Sequence, residues 1–293
     1  MLARVVSQFL QFTLTGLATG TTYALVGLGI ALVYQVTGVI NFAQGDFVMF
    51  GGLLFAVLEE HGWPALAAAG TALPATASLG ALLYLGVIAP ARRATPDRLI
   101  ILTIGASIIV EGGTLLVLGA DPHFARPFLA GDAFRFHGVT LQRQYVWVLL
   151  TTVLAVAAMA LALTRTVVGK AMRATAMDPG AARLVGISPR RMSLLAFTAA
   201  AGLAAIGGIV LAPIQQPDAS TGIPLGLTGF AAAVLGGLDS PAGAVAGGLV
   251  VGLLQAYVTG YGSSGYRDTV VYLLLLAVLL VRPTGLLRRR RRA

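Results

Sequence analysis

Apolar residues run along this chain without the polar interruptions that mark the outer face of a soluble helix. No Asp, Glu, Lys or Arg occurs over 5–45, 61–91, 144–164, 192–217, 219–238 or 240–266. A helix rising about 1.5 Å per residue needs roughly 20 apolar residues to cross a hydrocarbon core. Several of these stretches are long enough for one crossing each. A soluble amphipathic helix keeps a polar face, and a lipid-facing strand alternates apolar and polar positions. The run 273–280 does neither. Helices satisfy their own backbone polar groups in lipid, so the pattern predicts an all-α, polytopic helical membrane protein. The expected spans lie at about 12–34, 46–58, 65–90, 99–119, 145–163, 192–212, 224–238, 244–259 and 267–282, giving 8–9 crossings. The seventh and eighth are short and rich in glycine, and one reading makes them a broken or re-entrant pair.

Composition narrows the class. Only 11% of the 293 residues are charged and the mean hydropathy is +0.86. Soluble domains carry about 25% charged residues and disordered chains are charge-rich, so both are excluded. The chain has no cysteine, hence no disulfide and no thiolate metal site. A pI near 10.6 raises the question of nucleic acid. The placement of the cations answers it. With the C-terminus in the cytoplasm, alternation puts 35–45, 91–98, 164–191, the turn near Asp239 and the tail inside. These segments hold 15 of the 20 Lys and Arg residues, the tail run Arg288–Arg292 among them. Such a bias is the positive-inside pattern, and the tail reads as an anchor on anionic lipid. No nucleic-acid partner is needed. The first apolar run is far longer than the 7–15 residues of a signal peptide's core and reads as a span. The chain reads as a single membrane domain over 1–293, with the longest outside loop, about 120–143, too short to fold independently.

The segment 164–191 is the most informative. Asp178 before Pro179 is an N-cap followed by proline at the first helical position. A short helix is expected over 180–185, with Gly186 supplying the left-handed residue that ends it. Ser188-Pro189 repeats the signal and opens the next span. A short helix lying across the membrane face has two readings. It connects two spans near anionic headgroups, or it carries motion from a soluble partner into the membrane.

Specific motifs now bear on the choice. Gly180-Ala181-Ala182-Arg183-Leu184-Val185-Gly186-Ile187 resembles the cytoplasmic loop of bacterial ABC importer permeases, which carry Glu-Ala-Ala, three residues, then Gly. Gly180 stands where many have Glu, with Asp178 two positions earlier, a departure common in the branched-chain amino acid (LIV-type) permeases. Asn41-Phe42-Ala43-Gln44-Gly45-Asp46 resembles their Asn-x-Ala-x-Gly-acid segment. Ala233-Val234-Leu235-Gly236-Gly237, with Gly243 and Gly247-Gly248, resembles their penultimate region, and Arg282-Pro283-Thr284-Gly285-Leu286 their terminal Arg-Pro-x-Gly-Leu. The resemblance runs over most of the chain in family order. It implies a permease subunit in a bacterial inner membrane, paired with a second permease as hetero- or homodimer. It implies two cytoplasmic ATPase subunits on the loops and a periplasmic binding protein that delivers branched-chain or related hydrophobic amino acids. The same machine with urea, short amides or small carboxylates as cargo, or a stand-alone secondary transporter, is the alternative. The chain has no G-x-x-x-x-G-K-[ST] loop, so ATP and Mg would be bound by the partner ATPase and this chain would be neither an enzyme nor a cofactor carrier.

Polar residues within spans are the remaining candidates. Glu111 is an acid deep in the fourth span and reads as an interhelical hydrogen-bond partner or as a pathway or gate residue. No second acid lies near it in sequence, which argues against a proton relay. Asn41 and Gln44 would share a face if their segment is helical, while Asp46 caps the second span. Packing and capping compete here with a gate or translocation role. Gly16 and Gly20, Gly243 and Gly247, and Gly248 and Gly252 each share a helix face, for packing within the chain or for a subunit contact. His61, His123 and His137 have no metal-ligand spacing and read as solvated loop residues. If the arginine tail only anchors topology, deleting Arg289–Arg292 is expected to leave uptake of labelled leucine in cells largely intact, because other inside cations remain.

Overall fold

The computed structural model describes residues 2–91, 94–129, 131, 133–136, 139–282 and 285. Among these, eleven α-helices follow one another: α1 Leu2–Thr37, α2 Gln44–Glu60, α3 Ala65–Leu83, α4 Pro96–Leu118, α5 Arg143–Arg165, α6 Val167–Met177, α7 Pro179–Leu184, α8 Pro189–Gln215, α9 Gly222–Gly236, α10 Pro241–Tyr261 and α11 Arg267–Val281. A π-helical turn, Tyr84–Ile88, extends α3. Seven of these helices are long and apolar enough to cross a membrane: α1, α3, α4, α5, α8, α10 and α11. With α2 and α9 they fall on the nine expected spans. The eighth span is not short, however, because α10 is continuous over 21 residues. Of the nine, α2 with 17 residues and α9 with 15 fall below a full crossing.

The loop before α5 adds a feature outside the all-helical reading, a two-stranded ribbon pairing Phe134–Phe136 with Val139–Leu141. The segment 164–191 also holds more than the one short helix expected. Thr166 ends α5 and accepts a hydrogen bond from the Gly169 amide at 3.0 Å, starting α6 at once.

Helix α1 is the axis of the bundle and packs against α10, α8, α9 and α5. Over 23–33 it is buried on every side. Lipid tails are as apolar as leucine, so such packing rests on close fit rather than on escape from water. Glycine supplies that fit. A methyl group on Gly252 of α10 would lie 2.2 Å from the Gly20 Cα of α1, and one on Gly248 would lie 2.3 Å from the Ala24 amide nitrogen. Likewise, a methyl on Gly243 would lie 2.1 Å from the Gly236 carbonyl oxygen of α9. The paired glycines thus serve packing inside the chain.

The helices alternate between two ends. At one, Gln35 Nε2 donates to the Asp239 carbonyl at 2.5 Å, tying α1 to the α9–α10 turn. Helices α6 and α7 lie at this end, with Met172 packed into the same core cluster as Val36. At the other, Thr13 Oγ1 meets the Tyr257 hydroxyl at 2.8 Å.

Replacing Gly252 with alanine forces backbone apart from backbone and is expected to cost about 1–3 kcal/mol. The apparent melting temperature of the detergent-solubilised chain should fall by several degrees. Gly70→Ala on α3 has open space around it and should leave that temperature unchanged.

Candidate functional site

The short helix α7 forms as its sequence dictates. Asp178 Oδ1 accepts hydrogen bonds from the amides of Gly180 at 2.7 Å and Ala181 at 3.0 Å, and Pro179 occupies the first helical position. Gly186 has φ +82°, and its amide donates to the Arg183 carbonyl at 3.1 Å. The Ile187 amide donates to the Ala182 carbonyl at 3.0 Å, so the chain turns sharply toward α8. Ser188 precedes Pro189 as expected, but its hydroxyl makes no capping hydrogen bond. Ala182 is buried, while Gly180, Ala181, Arg183 and Gly186 are exposed. Leu184 is 89% exposed and Val185 74%, an apolar tip held away from the bundle.

A second group of candidates lies at mid-depth. Gln44 Nε2 donates to the Ala200 carbonyl of α8 at 2.8 Å, and it crowds Gly29 of α1. Ala200 lies about three turns past the start of α8 at Pro189, and Gly29 about two turns before the end of α1 at Thr37. At about 1.5 Å per residue these depths are about 12–16 Å from the α7 end, near the middle of a ~30 Å core. Asp46 is at the same level and accepts a hydrogen bond from Ser107, midway along α4. The link 38–43 therefore climbs from the end of α1 into the interior before α2 begins.

Helix α9 begins at this level as well. A methyl on Gly222 would lie 2.1 Å from Asp46 Oδ1, and one on Gly45 would lie 2.3 Å from the Gly226 amide nitrogen. Two helix N-termini, those of α2 and α9, thus flank one carboxylate. Their positive ends offset part of the cost of placing an acid there. Asp46 does not cap α2, because it sits within the first turn and Ala43 occupies the capping position. Nor do Asn41 and Gln44 share a helix face. Asn41 precedes the helix, and its Oδ1 accepts from the Ala43 amide at 3.2 Å in a local turn.

Asn41, Gln44 and Asp46 are all fully buried. Asn41 Nδ2, Gln44 Oε1 and Asp46 Oδ1 have no hydrogen-bond partner among the described residues. Such groups are costly to leave unpaired. Glu111 is four residues beyond Ser107 on α4, half-buried, and close enough to act electrostatically on Asp46. The fold thus supplies the second membrane acid that sequence neighbours of Glu111 lack.

Two arrangements have no sequence signature strong enough to find them. Tyr23 donates to Gln255 Oε1 at 2.7 Å. Arg267 Nε donates to the same oxygen at 3.2 Å, and its Nη2 to the Tyr23 hydroxyl at 2.7 Å. Gln255 Nε2 in turn donates to Asp268 Oδ1 at 3.0 Å. The second arrangement is a clasp on the loop after α4. Glu59 accepts from the Arg126 amide at 2.9 Å, and Glu60 accepts from the Phe124 amide at 2.8 Å and from His123 Nδ1 at 2.6 Å. Two acids at a helix C-terminus oppose the helix dipole, and that is the available signal that they have partners. His123 is thus not merely solvated. Arg92, Arg93, Asp132, His137, Pro283, Thr284, Leu286 and Arg288–Arg292 lie outside the described residues.

A helical bundle with seven helices long and apolar enough to cross a membrane, and a capped helix standing off one end, defines a multi-pass membrane protein. Residues 12–279 match the family described as branched-chain amino acid transport system, permease component, and the chain belongs to that family. It is a transport subunit and not an enzyme. It is 33% identical to the high-affinity branched-chain amino acid transport system permease protein LivH of Escherichia coli K12, over 96% of each chain. It is 27% identical to LivM of the same strain, over 90% of this chain and 67% of that one. Among solved structures it resembles PsaBC from Streptococcus pneumoniae in complex with Fab, with a TM-score of 0.53, 13% identity and 97% of each chain covered, a likeness of fold.

The loop clasp carries a pH prediction. The Phe124 amide, and then His123, hold Glu60 below the ordinary carboxylate value of 4.5. Partial burial opposes charge on His123, but the Glu60 hydrogen bond and the Leu118 carbonyl outweigh it and raise the imidazole above 6.5. The Glu60 contribution is present above its ordinary value and fades as pH falls through its lowered one. The His123 contribution is present below its ordinary value and fades as pH rises through its raised one. The clasp is therefore tightest between about 4.5 and 6.5. Amide hydrogen exchange at Phe124 and Arg126, corrected for its intrinsic pH dependence, should be several-fold more protected at mildly acidic than at alkaline pH. His123→Gln should flatten the difference.

Proposed function

We propose that this chain is a single-domain permease subunit of an ATP-driven importer for branched-chain or related hydrophobic amino acids. It lies in a bacterial inner membrane with the α7 end and the C-terminus in the cytoplasm. The observation that carries the coupling role is the exposed apolar tip of α7, Leu184 at 89% and Val185 at 74%. Burying one such side chain in a partner's groove is worth about 1.5–3 kcal/mol. Asp178, Pro179 and Gly186 fix the tip's position, Ala182 seats it on the bundle, and Gly180, Ala181, Arg183 and Ile187 complete the contact element. The fitting partners are two cytoplasmic ATPase subunits, which bind the ATP and Mg. Their closure on ATP shifts the helices joined to this element, α5 through α6 and α8 directly. Inward- and outward-facing populations change accordingly.

Two E. coli permeases of like name, LivH and LivM, are both similar to this chain, which supports pairing with a second permease subunit. A periplasmic binding protein delivers the cargo at the opposite end. Within the membrane, Asn41, Gln44 and Asp46, with Glu111 beside them, form a translocation pathway or gate. Their unpaired polar atoms support that role, because they offer weak, reversible contacts to a solute in transit.

Gly186→Pro tests the coupling role. A proline ring locks the backbone in the negative-φ region, whereas this position has φ +82°. It also removes the amide that bonds the Arg183 carbonyl. Uptake of labelled leucine by the assembled importer is expected to fall at least tenfold, with the chain still present in the membrane at its normal level. Normal uptake by this variant would sink the coupling role of α7.

A further inference from the structure

At the end of the bundle opposite α7, a half-open cavity of about 500 Å³ lies between helices α1 and α10 and the start of α11. Its size falls within the roughly 300–1,000 Å³ of small-molecule sites. Phe12, Thr15, Thr19, Ala256 and Thr259 form much of its wall, and Arg267 stands in its lining. Thr15 and Thr19 donate their hydroxyls to the Gln11 and Thr15 carbonyls of their own helix, at 2.9 and 3.0 Å. What they offer a ligand is methyl surface. The wall is therefore more apolar than its composition suggests.

Arg267 is half-exposed but held in place. Its Nε and Nη2 are fixed by Gln255 and Tyr23, each only 2% exposed. A guanidinium has five N–H donors, and two of them are used here. The other three have no hydrogen-bond partner among the described residues, and a planar fork of this kind matches a carboxylate. Asp268 lies beside it, with Oδ1 3.9 Å from Arg267 Nε. A fixed cation with an acid next to it, above an apolar wall, complements a zwitterion that bears an aliphatic side chain. It suits a phosphate headgroup poorly, because Asp268 would repel the headgroup.

We infer that this cavity is a receiving site on the permease itself for a small hydrophobic α-amino acid. The ligand's carboxylate lies on Arg267, its ammonium group toward Asp268, and its side chain against Phe12, Ala256 and the threonine methyls. The site is separate from the mid-depth group at Asn41, Gln44 and Asp46. It rests on the cargo reading above and gives that cargo a first foothold after release from the binding protein.

The cysteine-free chain makes a direct test available. Thr19→Cys and Thr259→Cys are made singly in the assembled importer, and the rate of maleimide labelling is measured in lipid nanodiscs of neutral lipid. L-leucine is expected to slow labelling about threefold at twice its dissociation constant. Leucinol, which lacks the carboxylate, and glycine, which lacks the side chain, are expected to have little effect. Arg267→Gln should abolish protection, and Arg267→Lys, which keeps the cation without the fork, should retain a weaker form of it. Assembly of each variant is checked by co-purification of the ATPase. Absence of leucine protection at both cysteines overturns the proposal. Slowing by nanodiscs containing phosphatidylglycerol, without slowing by leucine, also overturns it and makes the cavity a lipid site. Uptake of labelled leucine by the unmodified importer is measured in parallel. Uptake without protection overturns the receiving site alone, whereas no uptake overturns the cargo reading and the site with it.

Discussion

Inside a hydrocarbon, an apolar helix gains nothing by exchanging lipid for another apolar helix. Association there depends on how closely two backbones approach and on which polar groups they pair. The α1–α10 contact meets that constraint directly, with Gly20 facing Gly252 and Ala24 facing Gly248. Once α10 is seated on α1, the short turn at Asp239 places the end of α9 beside the end of α1, where Gln35 holds it. The 15 residues of α9 then reach only about 22 Å back into the bundle. That length, and no special signal, brings Gly222 to the level of Asp46.

The same constraint sets the cost of every polar group in the interior. Asp46 lies where a charge is most expensive, and the chain offsets this with a hydroxyl from Ser107 and two helix N-termini. Arg267 meets a similar problem nearer the opposite end with different means, a tyrosine hydroxyl and an amide oxygen arranged around the guanidinium. In both places one part of the polar group is held and another is left open. Asp46 keeps one buried oxygen without a partner among the described residues, and the half-exposed Arg267 spends two of its N–H groups on Gln255 and Tyr23. A group held in this way fits the transient contacts proposed for both places.

Much of this is legible along the chain. The uncharged runs locate the spans to within several residues, and Asp178-Pro179 with Gly186 writes the short helix α7 almost atom by atom. Local chemistry is readable because its partners are two to four residues apart. The α6 helix escapes such a reading because 164–191 offers several capping signals in succession, and Thr166 starts a helix with no loop before it. The neighbourhoods of Asn41 and Asp46 suggest helical geometry and a cap. Their true surroundings come from Ala200, Ser107 and Gly222, far along the chain. Tyr23 and Gln255 are 232 positions apart, and nothing local to either names the other. The glycines of the eighth span suggest a short helix, yet they lie on the face that meets α1 and α9 and do not interrupt it.

The central position of α1 has a consequence for how the protein is made. This helix leaves the ribosome ahead of its main partners and ends at Thr37, whereas its neighbours α8, α9 and α10 begin only at Pro189, Gly222 and Pro241. At about 5–20 residues per second, its partners arrive roughly eight to forty seconds later. Throughout that interval the most buried helix of the finished protein lacks the three helices that enclose most of it. Its glycine face and the segment 23–33, later wholly enclosed, then face lipid or whatever insertion machinery shields them. Biogenesis of this bundle is therefore a problem of waiting, and the helix that waits longest is the one on which α8, α9 and α10 assemble.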